Sequence, residues 1–453
     1  MKEKFSKEEL LSSAPVKTAI TKMGIPAIMG MIVTALYNMV DTAYIGMLKD
    51  NNALTAASVA FPIFMLVLAF GQLLGVGSAS AVGRHLGAND NKKADEVAST
   101  TIVISFVVGI LFAFTGLMFL EPLFKIFGAS ETVMPYAKDY GKWLFLAAII
   151  EVPNQVFNCT ARAETAVKRS ATALIAAAIT NIILDPIFMF TFGMGVEGAA
   201  VATAIAQCVN FAVVASYFFT GNSLVKLGIK KIRITKNWFT SIFASGMPTF
   251  VTQLLTSVTL TVTNLLAGSL VNGDNIIASH GVVLKVIVIG NYCIIGFMQG
   301  YQPLSAFAYG AKLKERFYDS YNFTRKACFT IGLVSTIVYI VFGKQLIGLF
   351  SQDPFILSMG YKFLVGICLT FTLMAFTVQL TVLYQAIGMG KEGVVVSALR
   401  QGVFYLPLVI ILTKLFGVWG LIVVQPICDI LSFLVCIKAK NMLFTKLDTF
   451  FEK

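Results

Sequence analysis

Apolar stretches of about 20 residues recur from one end of the chain to the other, interrupted only by short polar turns. A helix needs about 20 such residues to cross the ~30 Å hydrocarbon core of a bilayer, and no polar block of domain size intervenes. The pattern predicts twelve membrane-spanning helices, at roughly 23–47, 54–83, 98–120, 136–161, 169–192, 196–220, 239–270, 276–308, 321–343, 356–387, 394–416 and 417–440. Ahead of them, residues 1–22 carry Lys2, Lys4, Lys7, Lys17 and Lys22 among Glu and Ser and lack the continuous apolar core of a cleaved signal peptide. That segment reads as a polar start with room for a short amphipathic helix. Residues 221–238 read as a polar linker between two sets of six spans, 23–220 and 239–440, and residues 441–453 as a polar tail.

The fold class that follows is an all-α integral membrane protein, and composition agrees: 57% of the 453 residues are hydrophobic and 13% charged, far from the balance of a soluble domain. The net charge of +12 raises nucleic-acid binding, but in so apolar a chain the basic residues are better read as topology signals. Placing the N-terminus inside assigns 27 Lys and Arg to inside loops and helix ends. The outside receives seven: Lys49, Lys125, Lys138, Lys142, Lys344, Lys362 and Lys414. The asymmetry predicts a multi-pass protein of the plasma membrane with both termini cytoplasmic. The seven cysteines are odd in number, lie in apolar segments and show no paired spacing, so neither a disulfide framework nor a zinc site is indicated.

The basic linker invites a search for a duplication on either side of it. Pro26 matches Pro248, Gly87 matches Gly310, Phe127 matches Phe350, and Gly195 and Gly198 match Gly417 and Gly420, all at one nearly constant separation of about half the chain. Each half holds an even number of spans, so both have the same orientation and are related by an axis along the membrane normal. The cleft between them is where a substrate is expected.

Ionisable side chains at the centre of a span cost about 2.5–3.5 kcal/mol on insertion scales and are functional candidates by default. Asp41, Glu151, Asp185 and Lys285 qualify, with Arg400 and Asp429 nearer helix ends, where they suit a structural pair. Asn181 and Asp185 are four apart and share a helix face, and Pro186 loosens the helix beside them. Counted along their spans, Asp41, Asn181, Asp185 and Thr203 all fall in the outer half of the first lobe. Two carboxylates, an amide and a hydroxyl are hard oxygen ligands suited to a small cation, a sodium ion or a proton. The bland alternative is that Asp185 caps locally and Asp41 bonds a neighbouring helix. Against it, the matching positions in the second half are Thr263, Val403, Pro407 and Gln425, none of them charged. Acids that the fold required would appear in both copies.

At these residues the sequence resembles the multidrug and toxic compound extrusion (MATE) family, in its bacterial and archaeal branch of DNA-damage-inducible and MepA-like exporters. The likeness rests on YNMVDTAYIG in span 1, LGAND after span 2, TNIILDPIF and GAAVAT in spans 5 and 6, and QGYQPLSAFAYGAK in span 8. It implies two six-helix lobes in a V, alternating between inward- and outward-open states and exchanging sodium or protons for organic, often cationic, drugs, with no cofactor. It implies also that Asp41, Asn181, Asp185 and Thr203 form the cation site, and that Pro26 lets the first span bend. One departure lies after span 4, where such exporters commonly carry Arg-x-x-Gly and this chain has Arg162, Ala163, Glu164 and Thr165. A turn needing positive φ there loses its easiest residue.

Tyr37, Asn154 and Asn158 are polar or aromatic positions in spans expected to face the cleft. They serve as substrate contacts or, more simply, as interhelical hydrogen bonders. Glu151 is a candidate second titrating group, and Lys285 orients substrate or pairs with a polar neighbour. Small organic molecules and membrane lipid are the expected partners, and a monomer the expected state. A lipid-linked oligosaccharide flippase of similar fold, or an exporter of an endogenous metabolite, is the main alternative. A flippase favours a basic central cavity, whereas the deep charges here are acidic. A membrane enzyme finds no HExxH or paired acidic motif in the chain.

Overall fold

The computed structural model describes residues 5–48 and 50–452; Lys2, Lys4, Lys49 and Lys453 of the charge count lie outside them. Among the described residues every regular element is a helix. In order these are α1 Lys7–Ser12, α2 Val16–Met47, α3 Asn51–Gly87, α4 Asn91–Met118, α5 Leu120–Ile126, α6 Met134–Ala163, α7 Val167–Pro186 and α8 Gly195–Phe219. The second half continues with α9 Lys236–Gly268, α10 Gly273–Gly310, α11 Lys314–Gly348, α12 Pro354–Cys368, α13 Phe371–Ile387, α14 Gly390–Ala398, α15 Tyr405–Phe416 and α16 Val418–Phe451. Short turns between them are closed by side-chain caps where sequence provides one: Asp50, Asp90, Thr235 and Asp353 each accept a first-turn backbone N–H of the helix that follows.

Among the described residues eleven helical spans are long and apolar enough to cross a membrane, and α12 with α13, meeting at 51°, make a broken twelfth. The break lies at Leu369 and Thr370, where the Cys368 carbonyl accepts from the Thr336 hydroxyl at 3.0 Å instead of from its own helix. Two spans carry a π turn, Ile187–Thr191 after α7 and Leu399–Val403 between α14 and α15.

Both outer ends of the chain are more helical than hydrophobicity alone indicates. The first span starts at Val16, not near 23, because Ala19 and Ile20 are already buried. The last runs to Phe451, beyond 440, because Leu443 and Leu447 are buried and Phe450 stacks on Tyr309. The short amphipathic helix of the N-terminal segment is α1, closed by a Ser6–Glu9 capping box. Arg316 at the start of α11 donates to the Leu10, Leu11 and Ala14 carbonyls, and Lys314 pairs with Asp448 at 3.1 Å. The two termini therefore meet at one end of the molecule, as an even number of crossings requires.

Helices α2–α8 pack among themselves and so do α9–α16; the two sets meet through α2 and α3 against α10 and α9. The contacts along this seam are reciprocal. A Cβ at Gly87 would overlap the Phe307 carbonyl, and one at Gly310 would overlap the Arg84 carbonyl. Each member of one contact is the repeat counterpart of a member of the other: Gly87 of Gly310, and Arg84 of Phe307. Only glycine lets the backbones approach so closely. The seam occupies the terminal end of the molecule, reaching outward as far as Phe70 against Phe250, whose ring centroids are 5.0 Å apart. Beyond it Phe61, Leu254 and Val258 are exposed, so the lobes splay apart toward the far end. Arg84 reinforces the closed end by bonding Ser241, Ser245 and the Ala386 carbonyl at 2.9–3.1 Å.

The turn after α6 keeps its left-handed residue despite the sequence. Thr165 has φ +63°, and its repeat counterpart is Gly388 at φ +80°. A β-branched residue is strained there, and its buried hydroxyl has no partner. The neighbouring Glu164 carboxylate holds the turn by accepting from the Tyr217 and Ser223 hydroxyls and from the backbone N–H groups of Leu224 and Val225. Burial pushes that carboxyl up from the usual range, against the pull of those four donors. Thr165→Gly is expected to stabilise the protein by about 1 kcal/mol. The check is the thermal unfolding midpoint in detergent: a rise is expected, and a fall would mean that the threonine methyl packs more favourably than the strain costs.

Candidate functional site

The candidate ion ligands of the first lobe converge from three helices. Asp41 lies near the far end of α2, Asn181 and Asp185 near the far end of α7 where its helix passes into the π turn, and Thr203 two turns into α8. Pro186 has no N–H to give, so the helix around Asp185 is held by fewer backbone bonds. The i, i+4 spacing works as expected: Asn181 Nδ2 donates to Asp185 Oδ1 at 3.0 Å, and the same nitrogen reaches Thr203 Oγ1 at 3.4 Å. The Asp41 and Asp185 carboxyls stand within hydrogen-bond reach of each other.

What distinguishes this cluster is what it lacks. Asn181 and Asp185 are buried to 1% and 0% exposure. One oxygen on each of Asp41, Asp185 and Asn181 is buried without a hydrogen-bond partner. Unpartnered buried oxygens are costly unless something occupies them, and no Lys or Arg of the described residues forms an ion pair with either acid. The donor set, two carboxyls, an amide and a hydroxyl, fits a small hard cation or a proton shared between the acids. Among the described residues no three His, Cys, Asp or Glu side chains gather in one place.

Glu151 on α6 joins this region through a small cavity of about 20 Å³ lined also by Tyr140, Ala200, Thr203 and Gln207. Its Oε1 accepts from Gln155 at 2.8 Å while Oε2 is buried and unpartnered. Tyr37 lies in electrostatic reach of Asp41, Glu151 and Tyr140, and of Tyr292 from the other lobe, so it stands where the lobes face one another. Asn154 and Asn158 are placed otherwise. Asn154 donates to Gln207, and Asn158 bonds Asn154, Asn210 and Ser170, with Arg162 continuing the chain. They form an interhelical polar seam between α6, α7 and α8 rather than a free surface. Lys285 is exposed on α10, without an ion pair among the described residues. Pro26 lies inside an unbroken α2 and leaves the Lys22 carbonyl without its usual helical donor.

Gln207, Tyr140, Gln155 and Tyr292 were not singled out by sequence. A signal existed for two of them: Gln207 and Gln155 follow Thr203 and Glu151 at i+4, the same face of the same helix.

The second lobe has its own buried acid, and treats it oppositely. Asp429, 1% exposed, accepts from Arg400 at 2.6 Å, Thr370 at 2.8 Å and Gln425 at 3.0 Å. Arg400 comes from the π turn Leu399–Val403, which in the repeat register matches residues 177–181, the stretch of α7 just ahead of Asp185. One lobe thus neutralises its acid internally and the other does not.

A family model described as MatE matches residues 26–187 and again 248–411, the two matches opening on Pro26 and Pro248. The chain belongs to the MatE family. Its members are secondary transporters of the multidrug efflux type, and this chain is accordingly a multi-pass membrane protein of that class. It is 30% identical over 430 residues to the multidrug export protein MepA of Staphylococcus haemolyticus (strain JCSC1435), covering 94% of each chain. It is 29% identical over 427 residues to the MepA of Staphylococcus aureus (strain MRSA252), covering 93% of this chain and 94% of that one. A solved multidrug resistance MATE family transporter of the MOP superfamily, in its outward-facing conformation, superposes with a TM-score of 0.93 at 27% identity, covering 98% and 99% of the two chains. The likeness thus takes in both lobes of this MATE protein over nearly their whole length.

The two acids predict opposite responses to substitution. Removing Arg400 leaves Asp429 buried and unpaired, a loss of about 3–5 kcal/mol, so Arg400→Ala should lower the thermal midpoint sharply. Asp185→Asn relieves an unneutralised charge and should leave the midpoint unchanged or raise it. Unfolding curves in detergent decide; equal destabilisation by both would mean that Asp185 is a structural acid.

Proposed function

We propose that this protein is a cation-coupled antiporter that exports organic, often cationic, compounds across the plasma membrane, with both termini cytoplasmic. The observation that carries the reading is the buried acid pair Asp41 and Asp185 beside Asn181, with which no Lys or Arg among the described residues forms an ion pair. An acid pair so placed prefers either an ion or a proton between its carboxyls. A cationic substrate in the neighbouring cleft competes for the same negative charge.

Coupling then needs no further device. A proton or sodium ion entering from the outside takes up the Asp41–Asp185 charge, the substrate loses its counter-charge and leaves, and the two loaded states prefer different lobe geometries. Thr203 and Asn181 complete the ion's oxygen shell. Tyr37 and Glu151, beside the cleft, contact substrate, while Asn154 and Asn158 hold the helices that shape it. Pro26 supports bending of α2, since a helix missing one backbone bond bends there at least cost. The Arg84 contacts close the cytoplasmic end and must open for alternating access. Lys285, exposed on the second lobe, limits how far cationic cargo spreads toward that side. One elementary charge moving through 100 mV supplies about 2.3 kcal/mol, roughly a 50-fold concentration ratio, enough to keep a lipophilic toxin scarce inside.

The test is ethidium efflux from everted vesicles or proteoliposomes under separately imposed sodium and pH gradients. Wild-type protein should respond to one gradient and thereby identify its ion. Asp41→Asn and Asp185→Asn should abolish that response while protein levels and monodispersity hold. Full coupled export by either variant would sink the scheme, and an intact wild type indifferent to both gradients would point to a flippase instead.

A further inference from the structure

On the second lobe, away from the acidic cluster of the first, a groove of about 530 Å³ opens between α11, α13 and α16. Its floor is apolar, with Phe329 and Phe433 along it, and its rim carries Arg325, Lys326 and Lys440. Among the described residues none of these three cations forms an ion pair. Aromatic faces back two of them: Arg325 sits 6.0 Å from the Tyr321 ring centroid and Lys440 5.0 Å from that of Phe444. A fourth polar residue lines the same space. Gln379, 1% exposed, donates through Nε2 to the Tyr321 carbonyl at 2.8 Å, while its Oε1 is buried with no donor.

The fold does not require these groups. The left-handed turns at Asn89 and Lys312, at Thr165 and Gly388, and at Gly195 and Gly417 occupy matching places in the two halves. In that register Arg325, Lys326, Gln379 and Lys440 correspond to Ile102, Val103, Val156 and Phe218. In the first lobe that place is filled, with Phe218 edge-on to Phe157 at 5.3 Å. It is also roofed by the linker, whose backbone and Trp238 bond Asp95, Ser99, Thr100 and Thr101 on α4. The second lobe leaves its copy open and makes it basic.

The depth is also telling. Lys314 and Tyr318 meet Asp448 in the polar layer at the terminal end, and Arg325 lies two turns further in. Long basic side chains at this level reach back to lipid headgroups while their stems stay in hydrocarbon.

We propose that this groove binds an anionic phospholipid of the leaflet on the terminal side, with a hydroxyl-bearing, glycerol-type headgroup. The phosphate lies among Arg325, Lys326 and Lys440, a headgroup hydroxyl donates to Gln379 Oε1, and an acyl chain runs along Phe329 and Phe433. A zwitterionic choline lipid brings its own cation against three others and has no hydroxyl to offer, so charge favours the anionic lipid.

Native mass spectrometry of the purified full chain tests this, with dioleoylphosphatidylglycerol, dioleoylphosphatidylcholine and glycerol 3-phosphate as probes. Phosphatidylglycerol should be retained at least about tenfold over phosphatidylcholine, and each neutralised cation should lower its retention about fivefold. The combined Arg325→Gln, Lys326→Gln, Lys440→Gln variant should thus lose on the order of 100-fold. Gln379→Leu should lower phosphatidylglycerol retention without changing that of phosphatidic acid, which lacks the hydroxyl. Lys440→Phe, carrying the first lobe's residue, serves where the triple variant does not purify as a monodisperse species, and should lose phosphatidylglycerol too. Equal retention of the two lipids by wild type, or undiminished phosphatidylglycerol on the charge variants, would overturn the proposal. Displacement of the lipid by glycerol 3-phosphate alone would overturn it as well, making this a soluble-phosphate site.

Discussion

A carboxyl group deep in a bilayer has three ways to exist: paired with a cation of the protein, protonated, or holding an ion that comes and goes. Asp429 takes the first way, with Arg400 and two further donors around it. Asp41 and Asp185 are left with the other two, because the first lobe brings them together and no Lys or Arg among the described residues pairs with them. Much of the architecture serves that placement. The α7 helix ends in Pro186 and a π turn so that Asp185 and Asn181 face inward on one stripe. The polar seam from Asn154 to Arg162 ties α6, α7 and α8 into a frame around the cavity.

A large share of this was legible in the sequence, for reasons that can be named. Apolar run length located every span, since the bilayer imposes it, and the duplication showed through glycines and prolines whose backbone roles admit few substitutes. The i, i+4 spacing of Asn181 and Asp185 gave their shared face. Other features were illegible because they depend on partners far away in the chain. Nothing local says that α16 runs on to Phe451, because its last turns are stabilised by Tyr309 and Phe317 from other helices. The break in the tenth span has no proline or glycine at it; a threonine from α11 takes up the freed carbonyl. Thr165 looked incompatible with a left-handed turn, yet the bonds that Glu164 collects from α8 and the linker hold the turn in place. For Asn154 and Asn158, residue type told that they would hydrogen-bond but not to what, and only packing shows them turned toward Gln207 and Asn210 instead of the cleft.

The reciprocal seam, in which Gly87 meets Phe307 as Gly310 meets Arg84, is the geometry of a two-fold dimer drawn within a single polypeptide. In a true dimer of identical halves any charge placed off the axis would occur twice, and both clefts would be acidic or neither. Joining the halves removes that obligation. Position 84 is then free to be an arginine lock while its counterpart stays a phenylalanine, and Asp185 can face a lobe whose matching residue is Pro407. Symmetry is retained where backbones must touch and broken wherever a charge is useful, so the chain keeps the mechanics of a symmetric pair and acquires a direction.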